Sequence, residues 1–432
     1  MLISFSVENF RSFKDRQTLY FNAVKTCKEW NDENTAVEAC GRIVRSAVVY
    51  GANAGGKTNL FIAIERMRSF MLASVNIDKK IPLLLCEPFL LRQGNVMKPE
   101  TFEMEFTVDG RHFNYGFSLQ INGANGFEYE VVKEWLYEVN KGRLLPFFLR
   151  EKQNRDNGFV NVISVDKQRM PQGIGLEQRT RADVLFFTVA AQFAEPTCQI
   201  ISAYIQNSFI VISGVNHQIV SEYSRTRFAA DQVVASKIKK LIFDADVGIK
   251  DIALGDNGQI ISRHTIYGDD GSTAGAVDFN FAGAESQGTQ KLFDISGAIL
   301  DALTNGWVLV VDEFDAKLHP ILVRRVIELF NSPETNPKNA QLIFNAQSPD
   351  LLGYKTYSET KGKKITRLRR DQFYFVEKDN QEASQVFSLI EFKKESGMRT
   401  RNDDSYDKNY LSGVYGGIPF PREMIEKGLG NG

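Results

Sequence analysis

Hydrophobic and polar positions alternate with period two in the opening LISFSVENF, and a second run, Ile43 to Tyr50 (IVRSAVVY), is apolar, β-branched and ends at a glycine loop. Both runs read as strands. The loop leads into the helical stretch NLFIAIERMRSFMLASV, so strand, glycine loop and helix form one βα unit. From about 80 to 140 come TFEMEFTVDGRHFNYGFSLQING and FEYEVVKEWLYEV, alternating runs broken at Asp109-Gly110 and Asn122-Gly123. Those dipeptides favour tight hairpin turns, which predicts an antiparallel sheet. From about 150 to 275 the pattern is mixed: ADVLFFTVAAQFA and QVVASKIKKLIFDA read as helices and Gly268 to Gly275 as a loop. Next, WVLVVD reads as a strand, EFDAKLHPILVRRVIELF as the helix after it and AQLIFN as another buried strand. Ile365 to Lys378 supplies a last pair of strand-like runs before a polar tail from about 394.

The glycine loop carries the first chemistry. Gly51 to Thr58 reads GANAGGKT and satisfies G-x-x-x-x-G-K-[ST] between an apolar strand and a helix, the context the motif requires. Glycines let backbone amides turn inward around a phosphate, the helix start adds its positive dipole end, and Lys57 adds a point charge. Gly51, Ala52, Asn53, Ala54, Gly55, Gly56, Lys57, Thr58 and Asn59 are therefore expected around the phosphates of ATP, with the Thr58 hydroxyl on Mg²⁺.

A second feature is the acidic end of residues 307 to 313, WVLVVDE. A parallel strand buried on both faces reads as a continuous apolar run, and ligands of open α/β sheets sit at the carboxyl ends of strands. Asp312 is placed to hold the metal and Glu313 to polarise an attacking water. Two such acids also suit a helix N-cap; the upstream phosphate loop favours the Walker B assignment.

Charge and cysteine content change little. Lys plus Arg total 52 and Asp plus Glu 53, so affinity for nucleic acid would need a local patch; Lys237 to Lys240 and Lys361 to Arg370 are candidate clusters, but charged runs are usually solvated faces. Cys27, Cys40, Cys86 and Cys198 form no CxxC pair, and His112, His217, His264 and His319 are dispersed. No zinc site is expected, and a reducing, cytoplasmic setting is. No apolar run approaches the roughly 18 to 20 residues needed to span a bilayer, and the first residues lack the sections of a signal peptide.

The stretch Glu285 to Lys291 (ESQGTQK), about 20 residues before the acidic strand, resembles the signature of ABC-type ATPases in the form used by SMC, RecF and OLD-like proteins. Its Ser286 hydroxyl and Gly288 amide sit at a helix start, again a place for phosphate. Asp315 with AKLHP resembles the D-loop of OLD-like ATPases, and ENFRSF (Glu8 to Phe13) resembles the first strand of SMC and RecF heads. LRRDQFYFVEKD (Leu368 to Asp379) and YLSGVYGGIP (Tyr410 to Pro419) are similar to the closing motifs of stand-alone bacterial ATPases of the RloA and AriA kind. One position departs from the pattern: Gln347, in Asn345-Ala346-Gln347-Ser348, stands where the family has a switch histidine. Gln can hydrogen-bond a γ-phosphate or water but cannot carry an imidazolium charge, which implies slow hydrolysis.

The resemblance implies an α/β fold: an ABC-type P-loop NTPase head with a mixed, mostly parallel sheet, an antiparallel β lobe and a helical insertion. Residues 1–80 and 276–432 are expected to form the ATPase core, 81–150 the lobe and 151–275 a mainly helical insertion. In that family the signature serves the nucleotide of another subunit, which implies a homodimer or a higher even-numbered homo-oligomer around two MgATP. It also implies an anti-phage sensor, responsive to a phage-derived trigger and controlling a separately encoded nuclease or toxin. A RecF-like repair ATPase acting on DNA, and a nucleotide-gated scaffold with little turnover, are the alternatives. FYFVEKD superficially resembles a Toprim opening, but Asp403-Asp404 is not at the end of an apolar strand, so a closing strand of the ATPase is expected there. No stretch sustains the heptads of a long coiled coil.

Overall fold

Seven alternating segments build one antiparallel sheet in the computed structural model, which describes residues 1–75, 86–122, 129–155, 158–213, 217–244, 248–358, 362–392, 400 and 404–416. In spatial order its strands are Gly158–Val165, Arg143–Arg155, Tyr129–Asn140, Arg111–Ile121, Glu100–Val108, Leu2–Glu8 and Gln17–Tyr20. The hairpin at Asp109 and Gly110 forms as expected, with both residues at positive φ (50° and 71°). The expected turn at Asn122-Gly123 falls partly outside the described residues. The sheet corrects two boundaries. Leu2–Glu8, expected in the ATPase core, pairs with Glu100–Val108, and the lobe runs on past residue 150 to Val165. The reason is that a period-two pattern states which face is buried but not which partner lies alongside.

This sheet belongs to the first of two units, Met1–Asn207 with Pro349–Gly432; the second is Ser208–Ser348. In the first unit, Ser46–Gly51 pairs in parallel with Phe373–Lys378, which pairs antiparallel with Ser384–Ser388. The helix Lys57–Ala73 follows Ser46–Gly51 and packs by its apolar face on the seven-stranded sheet, the Phe70 ring lying 5.6 Å from both Phe117 and Tyr129. The run 43–50 is not one strand: Gly41–Val44 turns back on Thr35–Glu38, and Arg45 separates it from Ser46–Gly51.

In the second unit Phe209–Ile212, Val308–Val311 and Gln341–Asn345 form a parallel sheet in the order given. The central strand is wholly buried, as its continuous apolar run demands. The helix Gln287–Asn305 packs against His217–Ala230 and Gln232–Phe243. Two expectations are corrected. Residues 151–275 are not mainly helical, because Ile249–Leu254, Ile260–Tyr267 and Thr273–Asn280 form an antiparallel sheet with a tight turn at Gly258 (φ 72°). The stretch from Glu313 does not enter a helix until Pro320: proline disfavours helical geometry in the residue before it, and His319 instead caps Pro320–Asn331, its Nδ1 accepting from the Ile321 amide at 3.3 Å. Among the described residues no helix is long and apolar enough to cross a membrane.

Arg66, on the loop helix, is fully buried, lies 4.8 Å over the Phe10 ring and donates to Glu87, which also holds Arg11. Burial pushes the neighbouring Glu100 carboxyl up from 4.5 to about 8, against the pull of Arg66. A carboxyl raised on folding holds its proton more tightly in the native state, so its contribution is full below pH 4.5 and is lost as pH rises through 8. The slope is at most about 1.4 kcal/mol per pH unit. Glu100→Gln is expected to flatten the dependence of the urea midpoint on pH across that window; an unchanged slope would assign it to another group.

Candidate nucleotide site

The phosphate loop begins where its strand ends, and close approach fixes the residue type. A Cβ on Gly51 would lie 2.3 Å from the Val376 carbonyl oxygen of the parallel neighbour strand, so only glycine fits at the exit. Ala54 (φ 63°) and Gly56 (φ 117°) take left-handed conformations that turn the chain back toward the helix. Helix Lys57–Ala73 starts at Gly56 with no side-chain cap, leaving the first amides of a helix to whatever anion the loop surrounds. Lys57 is buried, and its ammonium donates to the Gly51 carbonyl at 2.6 Å and that of Ala52 at 3.1 Å, which holds the charge beside the loop. The Thr58 hydroxyl is exposed one residue on, as a metal ligand on a helix start needs to be.

Two side chains that the motif does not contain brace this loop. Ser384 donates its hydroxyl to the Gly55 carbonyl at 2.7 Å, and its amide donates to the Ser12 carbonyl at 2.7 Å. Asn59, expected at the nucleotide, donates to the Ser12 hydroxyl at 2.9 Å and accepts from Arg11 at 3.4 Å, so it ties the ENFRSF segment to the helix. Behind the loop the Tyr410 ring packs, tilted, against Tyr50 and Phe375 with centroids 5.5 and 5.7 Å away, and Gly416 (φ 66°) lies against the Glu377 carboxylate. Thus Phe373–Lys378 is a strand of the phosphate-loop sheet, and its acid is covered by the described part of the closing motif.

The second unit gathers the other candidates around one turn. Val308–Val311 delivers Asp312 and Glu313 beyond its carboxyl end, and Glu313 is exposed with φ 52°. Asn345, at the end of the adjacent parallel strand, reaches both: its amide nitrogen donates to the Asp312 carboxylate and its oxygen accepts from the Glu313 backbone N–H. Asp315 accepts the backbone amides of Gln347 and Ser348, each at 2.8 Å, so its carboxylate orders the switch segment. The Gln347 side chain is exposed.

The signature residues flank the same turn. Ser286 is exposed and caps Gln287–Asn305, its hydroxyl accepting from the Thr289 amide at 3.1 Å. A Cβ on Gly288 would lie 2.7 Å from the Lys317 carbonyl oxygen. Lys291 donates to the carbonyls of Glu313 and Ala316 at 2.5 and 2.9 Å; burial lowers its pKa, opposed by the charges of Asp315 and Glu313. Ser12, Ser384, Asn345 and Lys291 were not singled out by sequence, although Ser12, Asn345 and Lys291 lie inside motifs that were.

An uncapped glycine loop with a buried lysine in the first unit, and in the second an acid-ended parallel strand with a serine-capped helix beside it, fit an ATP-binding P-loop ATPase. More narrowly, the chain belongs to the family described as "AAA domain, putative AbiEii toxin, Type IV TA system", whose model matches residues 46–161 and 215–353, more than half of the sequence. Among solved structures it is similar to the SMC head domain from Thermotoga maritima, at 15% identity over 90% of this chain and 98% of that one, with a TM-score of 0.40. No curated protein matches it.

The loop geometry yields a direct test. At Gly56 a Cβ would lie 2.3 Å from the Ser384 hydroxyl, on a backbone that side chains rarely adopt. Gly56→Ala is expected to weaken ATP binding at least about tenfold by calorimetry while far-UV circular dichroism stays native, since strain of about 1 to 3 kcal/mol is confined to the loop. Wild-type affinity in that variant would show that the loop does not bind phosphate in this conformation.

Proposed function

We propose that the chain hydrolyses ATP and dimerises around two MgATP, as the regulatory subunit of a bacterial anti-phage or toxin–antitoxin system that controls a separately encoded nuclease or toxin. The observation that carries the ATPase reading is the uncapped phosphate loop with Lys57 buried beside it. Gly51–Asn59 and Lys57 bind the phosphates; Thr58 and Asp312 hold Mg²⁺, which neutralises charge on the phosphates when bound. Glu313 orients the attacking water and accepts its proton. Its exposed carboxylate, on a backbone fixed by Asn345, suits that role. Ser286 and Gly288 complete the partner's site, a role supported by an exposed helix start with no acidic residue in its first turn. The system-level reading rests on the family description, which names an AbiEii toxin and a type IV TA system, and on the resemblance of the closing motifs to stand-alone defence ATPases.

Gln347 favours a second reading of the turnover itself, a nucleotide-gated scaffold that hydrolyses little. Its exposed side chain is neutral where an imidazolium would add charge stabilisation. DNA-stimulated hydrolysis, falling steeply with salt, would instead point to a repair ATPase.

Glu313→Gln is expected to bind ATP, lose turnover by about a hundredfold or more, and accumulate as an even-numbered oligomer in native mass spectrometry with ATP and Mg²⁺ present. A monomer under those conditions would end the dimer proposal. Purified from its host in the same state, that variant should carry a stoichiometric small nuclease or toxin; recovery with DNA and replication proteins would favour repair. Gln347→His is expected to raise kcat severalfold with little change in KM, and unchanged kcat would show that this position does not limit the rate.

A further inference from the structure

The turn from Glu313 to Lys317 bends through two left-handed residues, Glu313 (φ 52°) and Lys317 (φ 67°). Its carbonyls at 313, 316 and 317 all face the first turns of the signature helix. Lys291 donates to the first two at 2.5 and 2.9 Å, and Gly288 admits the third, since a Cβ there would stand 2.7 Å from it. The other side of the turn is held by Asn345 on the Glu313 amide and by Asp315 under the Gln347 and Ser348 amides. The peptide that carries the candidate base is thus clamped between the signature helix and the switch segment of its own chain. A lysine kept here despite the cost of burying its charge is spent on two backbone carbonyls rather than on a carboxylate.

We infer that Lys291 is a positioning residue that couples the two nucleotides of the dimer, by tying the helix that engages one ATP to the peptide of the glutamate that acts on the other. This rests on the dimer reading above. In that arrangement Ser286 and Gly288 of a chain serve the nucleotide held by its partner, whereas Glu313 of the same chain serves its own. A shift of the signature helix on engaging the partner's γ-phosphate moves Lys291, and with it the Glu313 carbonyl and side chain. Each base is set only when the opposite nucleotide is in place, which makes turnover rise more steeply than linearly with occupancy. Lys291 touches no substrate in this scheme.

The test compares ATP turnover curves of the full-length wild type, Lys291→Met and Lys291→Arg, with dimer assembly of Glu313→Gln and of Glu313→Gln/Lys291→Met followed by native mass spectrometry. The expected result is a sigmoidal wild-type curve that becomes hyperbolic in Lys291→Met, with kcat down about tenfold, half-saturation within about twofold, and ATP-dependent dimers retained in the double variant. Lys291→Arg, which keeps a charged donor, is expected to recover part of both kcat and sigmoidal shape. A wild-type curve in Lys291→Met overturns the coupling, as does a hyperbolic wild type that nevertheless dimerises. Loss of dimers and of thermal stability together in Lys291→Met would make the residue merely structural. Absence of dimers in Glu313→Gln alone would instead defeat the underlying dimer reading, and this inference with it.

Discussion

The parallel pairing of Ser46–Gly51 with Phe373–Lys378 is the contact on which the phosphate loop depends. It aligns Gly51 with Val376 so closely that no side chain fits between them, and it fixes where the loop leaves the sheet. From that exit the two left-handed residues, the Ser384 hydroxyl and the Ser12 carbonyl leave the chain one compact path to the helix start. A loop that binds an anion through backbone amides cannot rely on flexible side chains for its shape, because each amide ordered on binding would cost conformational entropy. Strands from opposite ends of the sequence remove that freedom in advance. The aromatic cluster of Tyr50, Phe375 and Tyr410 gives those strands a shared apolar backing, with ring centroids 5.5 to 6.1 Å apart.

The same constraint explains how much was legible in the sequence. GANAGGKT is read directly because its chemistry is local: spacing along the chain sets the spacing of amides around a phosphate. VLVVDE is legible for a related reason, since burial on both faces leaves a continuous apolar run. Ser384 and Ser12 are different. Their hydroxyl and carbonyl matter only because distant segments meet the loop, and no local pattern marks one serine among many. Asn345 and Lys291 lay inside motifs already singled out, yet their partners are backbone groups of another segment, which sequence does not reveal. The stretch after Glu313 misleads for an identifiable reason. Its apolar spacing suits a helix, but Pro320 excludes helical geometry from His319, and the residues before it bend through the left-handed region instead. The three strands between Ile249 and Asn280 went unread because their turn residues look like loop and their outer strand is exposed nearly throughout.

The left-handed Glu313 ties stability to chemistry. For a residue with a Cβ this conformation costs on the order of 1 kcal/mol or more, and it persists only where surrounding bonds over-determine it. Here they do, since Asn345 holds the amide on one side of the residue and Lys291 the carbonyl on the other. Releasing either bond would let the peptide relax toward ordinary geometry and turn the side chain with it. One clamp comes from the sheet and the other from the helix Gln287–Asn305, so the backbone at Glu313 is fixed by two separate elements. The backbone cost of this conformation is offset only while both clamps are in place, so loss of either bond is expected to favour relaxation of the turn.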